Sequence, residues 1–211
     1  MLVFAGCGAI VVETLTGAMG HVGIALVFGM VVTAIIYTFG HISGAHVNPA
    51  VTLSFALSNE LSPKDALFYI IFQLLGALLA AGTLALLFSE ESKHASELAY
   101  YGATLPRGSE MQSFLFEVIL SFILMLVIYG SALHGKAVKS FAGIAIGFTV
   151  GIEAMFAGPV TGASMNPARS VAPALVSGHM EHLWIYITAP IVGMLLAGVF
   201  YTRILSEKDE A

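Results

Sequence analysis

The chain has 211 residues, of which 58% are apolar and only 10% charged, with a formal net charge of -5. Mean hydropathy is +0.91, whereas a soluble domain carries about 25% charged residues. This composition excludes disorder, a collagen repeat and a nucleic-acid-binding surface, and the single cysteine, Cys7, excludes a disulfide framework or a thiolate metal cluster. An integral membrane protein remains, built from helices.

A helix needs about 20 apolar residues to cross a hydrocarbon core about 30 Å thick. The opening run MLVFAGCGAIVV (1–12) is apolar but too short to span, and no basic flank marks it as a signal peptide. It reads as a first helix lacking its N-terminal half. Full spans are expected at 22–40, 65–88, 112–133, 141–158 and 183–203. Between them lie VNPAVTLSFAL (47–57) and MNPARSVAPALV (165–176). Each has room for about ten helical residues, or about 15 Å, which is half a bilayer. Each begins with Asn-Pro, an N-cap followed by the residue best suited to the first helical position.

If the spans alternate, Lys64, Lys136, Lys139, Arg203 and Lys208 share one side, which the positive-inside bias makes cytoplasmic. Lys93 and Arg107 fall on the other. The external loop, 89–111, is then acidic through Glu90, Glu91, Glu97 and Glu110, and the tail SEKDEA is a solvated end.

Residues 43–51, SGAHVNPAV, and 161–169, TGASMNPAR, match at an offset of 118 residues. Gly44 pairs with Gly162, Ala45 with Ala163, and Asn48, Pro49 and Ala50 with Asn166, Pro167 and Ala168. Three full spans, an odd number, separate the copies, so the two loops enter from opposite faces. Two half-helices can then meet N-terminus to N-terminus near the midplane, an inverted repeat whose broken helices mark a permeation site. Loop backbone at that depth has to be buried in protein or line a wet cavity.

On this duplicated motif the chain resembles the aquaporin and aquaglyceroporin family (major intrinsic proteins) from residue 1 to about 203. The stretches GATLPRGSEMQSFLFEVILSFILMLVIYG and AGPVTGASMNPARS are most similar to bacterial relatives of the plant nodulin-like intrinsic proteins. The resemblance implies an all-α membrane protein: a right-handed bundle of six transmembrane helices, the first truncated, plus two re-entrant half-helices. It implies one channel domain over 1–211, with repeats at about 1–88 and 112–203, in a prokaryotic cell membrane. The family's usual assembly is a homotetramer with one pore per subunit.

Two facing helix N-termini, each about +0.5 elementary charge, place a positive potential at mid-pore that repels cations and hydronium. Asn48 and Asn166 can offer side-chain NH2 donors to a passing water, besides capping their helices. Arg169, a permanent charge inside a membrane segment, is a functional candidate by default, against the alternative of snorkelling to the interface. The resemblance places four residues at the narrowest point, Phe28, Ala154, Ala163 and Arg169. Strict water channels typically carry His where Ala154 stands, so a wider, more apolar constriction is expected, open to glycerol, urea or metalloid hydroxides as well as water. Ser170, which replaces the Asp typical of glycerol facilitators, and Ala174 point the other way, and Tyr186–Ile187 is mixed. The family also implies that Glu117 accepts backbone N–H groups from a re-entrant loop and that His41 and His46 brace the first one or weakly modulate a pH response.

Glu153 adjoins Ala154 but points about 100° away on a helix, so it is either structural or polar lining. Gly143, Gly147 and Gly151 recur every four residues, as close helix packing requires. Phe68, Tyr69, Trp184 and Tyr201 read as interface anchors or packing. Cys7 lies outside the expected constriction, which predicts weak block by mercurials. No His/Glu spacing makes a metal site, no cofactor is implied, and no nucleophile, base and oxyanion arrangement suggests an enzyme. The partners expected are water, small neutral solutes and lipid. Alternatives left open are a strict water channel, an ion-coupled secondary transporter with Glu117, Glu153 and Arg169 as its only intramembrane charges, and a junction protein with negligible flux.

Overall fold

The computed structural model describes residues 1–91 and 96–205, the side chains of 96–98 apart. Lys93 and Lys208, and the tail from 206, lie outside the described residues. Among the described residues eight α-helices follow one another: α1 (Leu2–Thr16), α2 (Gly20–Ser43), α3 (Pro49–Leu57), α4 (Pro63–Leu87), α5 (Glu110–Ile128), α6 (Ala142–Thr161), α7 (Pro167–Ser177) and α8 (Leu183–Phe200). Short π-helical turns, Tyr129–Leu133 and Tyr201–Leu205, prolong α5 and α8. Five of these helices are long and apolar enough to cross a membrane, and the described residues contain no strand.

The helix starts follow local chemistry. Ser62 and Ser109 cap α4 and α5 by accepting from Asp65 N–H and Gln112 N–H, which satisfies donors that a helix start leaves unpaired. α1 runs four residues past the apolar segment 1–12. Thr14 and Thr16 bond back to Ile10 and Val12 carbonyls, and Gly17 ends the helix in a left-handed conformation. Glu13 then accepts from Met19 N–H at 2.6 Å and Gly20 N–H at 2.8 Å, so the polar end of α1 serves as the cap of α2. At 15 residues α1 is about 22 Å long, and below its first residue a cavity of about 500 Å³ opens between α2 and α4.

α2 and α6 cross closely at the centre of the bundle. A Cβ on Gly29 would come within 2.6 Å of the Gly147 carbonyl oxygen, and Gly151 lies against Gly29 and Ala25. The glycine stripe of α6 is therefore packing. Gly143 lies against the Tyr37 ring in the same seam. On the far side Gly193 of α8 sits against α5, where a Cβ would be 2.9 Å from Ser121 Cβ. α3 packs on α8 and α7 on α4, so each half-helix is held by the opposite repeat. Large apolar side chains such as Met30, Phe72, Leu79, Leu86 and Phe148 face outward, each at least 66% exposed, as a lipid-facing surface requires.

Candidate permeation pathway

The two loops that precede α3 and α7 share one backbone. Gly44 and Gly162 (φ 70° and 89°), Ala45 and Ala163 (49° and 43°), and Val47 and Met165 (39° and 52°) all adopt left-handed φ, at the same offset of 118 residues. Asn48 and Asn166 then return to extended geometry, both at φ -154°. Left-handed φ costs an L residue about 1–2 kcal/mol, so this conformation needs outside support.

Each Asn supplies part of it. Asn48 Oδ1 accepts from Ala50 N–H at 2.9 Å, and Asn166 Oδ1 accepts from Ala168 N–H at 3.0 Å and Arg169 N–H at 3.3 Å. The amide nitrogens cross the midline. Asn48 Nδ2 donates to the Met165 carbonyl at 2.7 Å, and Asn166 Nδ2 donates to the Val47 carbonyl at 2.9 Å. The half-helices are thus joined head to head by two reciprocal bonds. An amide NH2 has two protons. One on each Asn is committed to the opposite loop and one is left for a passing molecule, so the expected free NH2 group is half spent.

Further braces differ between the loops. Glu117, fully buried on α5, takes Ser164 N–H at 2.8 Å and Thr161 Oγ1 at 3.1 Å on one oxygen and Met165 N–H at 2.8 Å on the other. Tyr186 is fully buried and donates to the Thr161 carbonyl at 2.6 Å. In the first loop Thr52 Oγ1 donates to the Asn48 carbonyl, accepts from Gln73 Nε2 at 3.0 Å and hydrogen-bonds His46 Nδ1 at 3.2 Å. The His46 ring lies against Phe55 and Tyr69. His41 does not brace the loop: it is exposed, hydrogen-bonds to nothing among the described residues, and lines the cavity on the Lys139 side. It stands on the exposed last turn of α2.

Three cavities lie end to end. The outer one, about 400 Å³, is bounded by residues 103–107 and the start of α2. The middle one, about 120 Å³, runs past both Asn residues along Val32, Val51, Leu124, Ile146 and Val150. The third, about 470 Å³, holds His41, Glu60 and Lys139. The residues that line both the outer and the middle cavity are Phe28, Ala154, Ala163 and Arg169. Arg169 is 3% exposed, so it does not snorkel. Its Nη1 donates to the Gly102 carbonyl at 2.6 Å, its guanidinium stands 5.0 Å from the Phe28 ring centroid, and its Nε has no partner among the described residues.

Glu153 lines none of the three cavities. It is 3% exposed and neither oxygen has a hydrogen-bond partner among the described residues. Polar lining is therefore not its role. Cys7 also lines none of them; it is fully buried, with Sγ 3.9 Å from the Gly102 oxygen that holds Arg169. Sequence reasoning did not reach Gly102, Thr52, Gln73 or the crossed amide bonds. The left-handed turn at Gly102 carries no periodic signal, and the amide bonds depend on the two loops meeting.

The model of the major intrinsic protein family matches residues 1–201. The chain belongs to the major intrinsic protein family. It is similar to aquaporin NIP1-1 of Zea mays, 46% identical over 96% of this chain and 70% of the relative. It is as similar to nodulin-26 of Glycine max, 46% identical over 99% of this chain and 75% of the relative. Among solved structures it resembles the aquaglyceroporin from Plasmodium falciparum, with a TM-score of 0.87 and 26% identity, covering 96% of this chain and 90% of that one. A member of this family with this fold is a passive membrane channel for water and small solutes.

Proposed function

We propose that water and small uncharged solutes, glycerol, urea or metalloid hydroxides, cross in file through the constriction formed by Phe28, Ala154, Ala163 and Arg169, and that ions and protons are excluded. The supporting observation is that, among the described residues, these four alone line both the outer and the middle cavity. With Ala154 at the second position, a methyl group stands where a polar ring would narrow the passage. Exclusion follows from charge. A cation loses hydration in a narrow apolar tube, then meets Arg169 and two helix N-termini of about +0.5 charge each. A neutral molecule meets no such barrier and can accept from the Arg169 and Asn donors. Glu153 and Glu117 sit off the path, which weighs against ion-coupled transport.

We further assign a homotetramer in a prokaryotic cell membrane with the Lys64, Lys136 and Lys139 face inward. This rests on the family's usual assembly and on the charge bias of the loops; the two sequence relatives compared above are plant proteins. The deciding experiment is stopped-flow permeability of proteoliposomes to water, glycerol and urea. Ala154→His is expected to cut glycerol and urea flux about tenfold, roughly 1.4 kcal/mol of barrier, with water flux kept. Untouched glycerol flux would remove the assignment of the constriction. Steady ionic current through the purified protein would overturn the channel reading itself.

A further inference from the structure

The outer cavity is bounded by a strap, residues 102–107, tied down at three points. Gly102 O accepts from Arg169 Nη1 at 2.6 Å, Thr104 Oγ1 donates to Ser170 Oγ at 2.7 Å, and Arg107 N–H donates to the Val160 carbonyl at 3.0 Å. The turn leading into it is wound the unfavourable way: Ala99, Tyr100 and Tyr101 have φ of 49°, 53° and 52°. Its shape therefore depends on those ties.

Beside the constriction lies a run of buried hydroxyls: Thr104 (6% exposed), which also lines the outer cavity, Ser170 (0%), which lines neither, and Ser164 (5%), which also lines the middle one. Ser164 Oγ reaches the Asn166 carbonyl as a donor at 3.0 Å and lies 2.5 Å from Ser170 Oγ, a bond that either hydroxyl can donate. The run is continuous from Thr104 through Ser170 and Ser164 to the Asn166 carbonyl. The methyl of Thr104 packs on Gly162, where a Cβ would come within 3.1 Å of it.

Ser170 directly follows Arg169 in the chain and Ser164 directly follows Ala163. The run thus joins two of the four constriction residues and fastens both to the strap. We propose that Thr104 is a specificity-determining positioning residue: through Ser170 and Ser164 it sets the spacing of Arg169 and Ala163, and so how far beyond the size of water a solute can be and still pass. This rests on the constriction proposed above. When the tie is lost, the strap lifts, the Gly102 carbonyl leaves Arg169, and the guanidinium gains room to move away from the Phe28 ring. Water already fits, so larger neutral solutes gain most.

The test is the ratio of glycerol to water permeability in proteoliposomes, measured for Thr104→Val, Ser170→Ala, the pair combined, and Thr104→Ser. Valine keeps the shape against Gly162 and removes only the hydroxyl. Thr104→Val, which loses one hydrogen bond, is expected to raise the ratio about fivefold, and Ser170→Ala, which loses two links of the same chain, at least as much. The pair should raise it no further, since both break one chain, and Thr104→Ser should keep the wild-type ratio. An unchanged ratio in Thr104→Val, effects that multiply in the pair, or a ratio in Thr104→Ser as high as in Thr104→Val would each overturn the proposal. If Thr104→Val folds poorly, Ser170→Ala alone carries the same expectation and the same refutation. Ala154→His in parallel separates the two claims: if it blocks glycerol while the Thr104 and Ser170 variants do nothing, the constriction stands and only the strap proposal fails.

Discussion

Replacing Glu117 by Gln removes one charge and half the acceptor capacity from the group that holds the second re-entrant loop. Three donors converge on this carboxyl: Ser164 N–H and Thr161 Oγ1 on one oxygen, Met165 N–H on the other. Glutamine has one acceptor oxygen. In the orientation that keeps the first two bonds, its NH2 confronts Met165 N–H, donor against donor. A hydrogen bond to a charged group contributes about 1.5–3 kcal/mol, and a buried N–H left unpaired costs a similar amount, so the net loss is about 3 kcal/mol. Met165 and Ala163 are held at left-handed φ of 52° and 43°, so the released peptide has strain to shed, about 1–2 kcal/mol per residue. The loop should leave its position and carry Asn166 with it. Denaturation of the purified protein in detergent should show the loss of about 3 kcal/mol, and osmotic water flux in proteoliposomes should fall severalfold. A Glu117→Gln protein within about 1 kcal/mol of wild type, an ordinary cost for a point substitution, and with full flux would refute the brace.

Other outcomes follow from the same geometry. Asn166→Asp replaces the donor to the Val47 carbonyl with an anion between two positive helix ends, so a proton leak should appear in pH-loaded liposomes; unchanged proton exclusion would count against the electrostatic account. Gly147→Ala pushes a methyl to within 2.6 Å of the Gly29 carbonyl oxygen and should cost about 1–3 kcal/mol by overpacking. Gly76→Ala meets nothing within 4 Å and should be neutral or stabilising by about 0.5–1 kcal/mol from helix propensity; equal thermal stability for the two variants would undo the packing argument. Mercurials should block water flux only weakly, because Cys7 is fully buried. Fast, thiol-reversible block that disappears in Cys7→Ser would show the thiol to be reachable.

The path's centre could be read from the sequence because it is built from local signals used twice. Asn-Pro is a helix start, and its recurrence after an odd number of spans fixes opposite entry. The spans came within about three residues of their ends for the same reason: apolar length is what a bilayer demands. Glu117 was legible as a charge in the apolar run FLFEVILSF. What escaped depends on contacts between segments distant in sequence. α1 ends at Thr16 because Glu13 and the threonines bond locally, which hydropathy does not register. His41 and His46 look alike as flanks of one loop, yet only His46 has Thr52 within 3.2 Å, while His41 sits on an exposed turn. Ser170 enters the sequence reading only as the replacement for an Asp of glycerol facilitators; it is fully buried and lines none of the three cavities. Residues 102–107 have no period or composition to mark them, though they carry the carbonyl that holds Arg169.

The paired amide-to-carbonyl bonds between Asn48 and Met165 and between Asn166 and Val47 have a mechanical consequence. The midpoint of the channel cannot widen or shear without severing both together, and each repeat is the other's anchor there. A waist fastened from both sides is a poor place for a valve. Control over flow falls to the two wider mouths, where the walls are the strap on one face and the His41, Glu60 and Lys139 rim on the other.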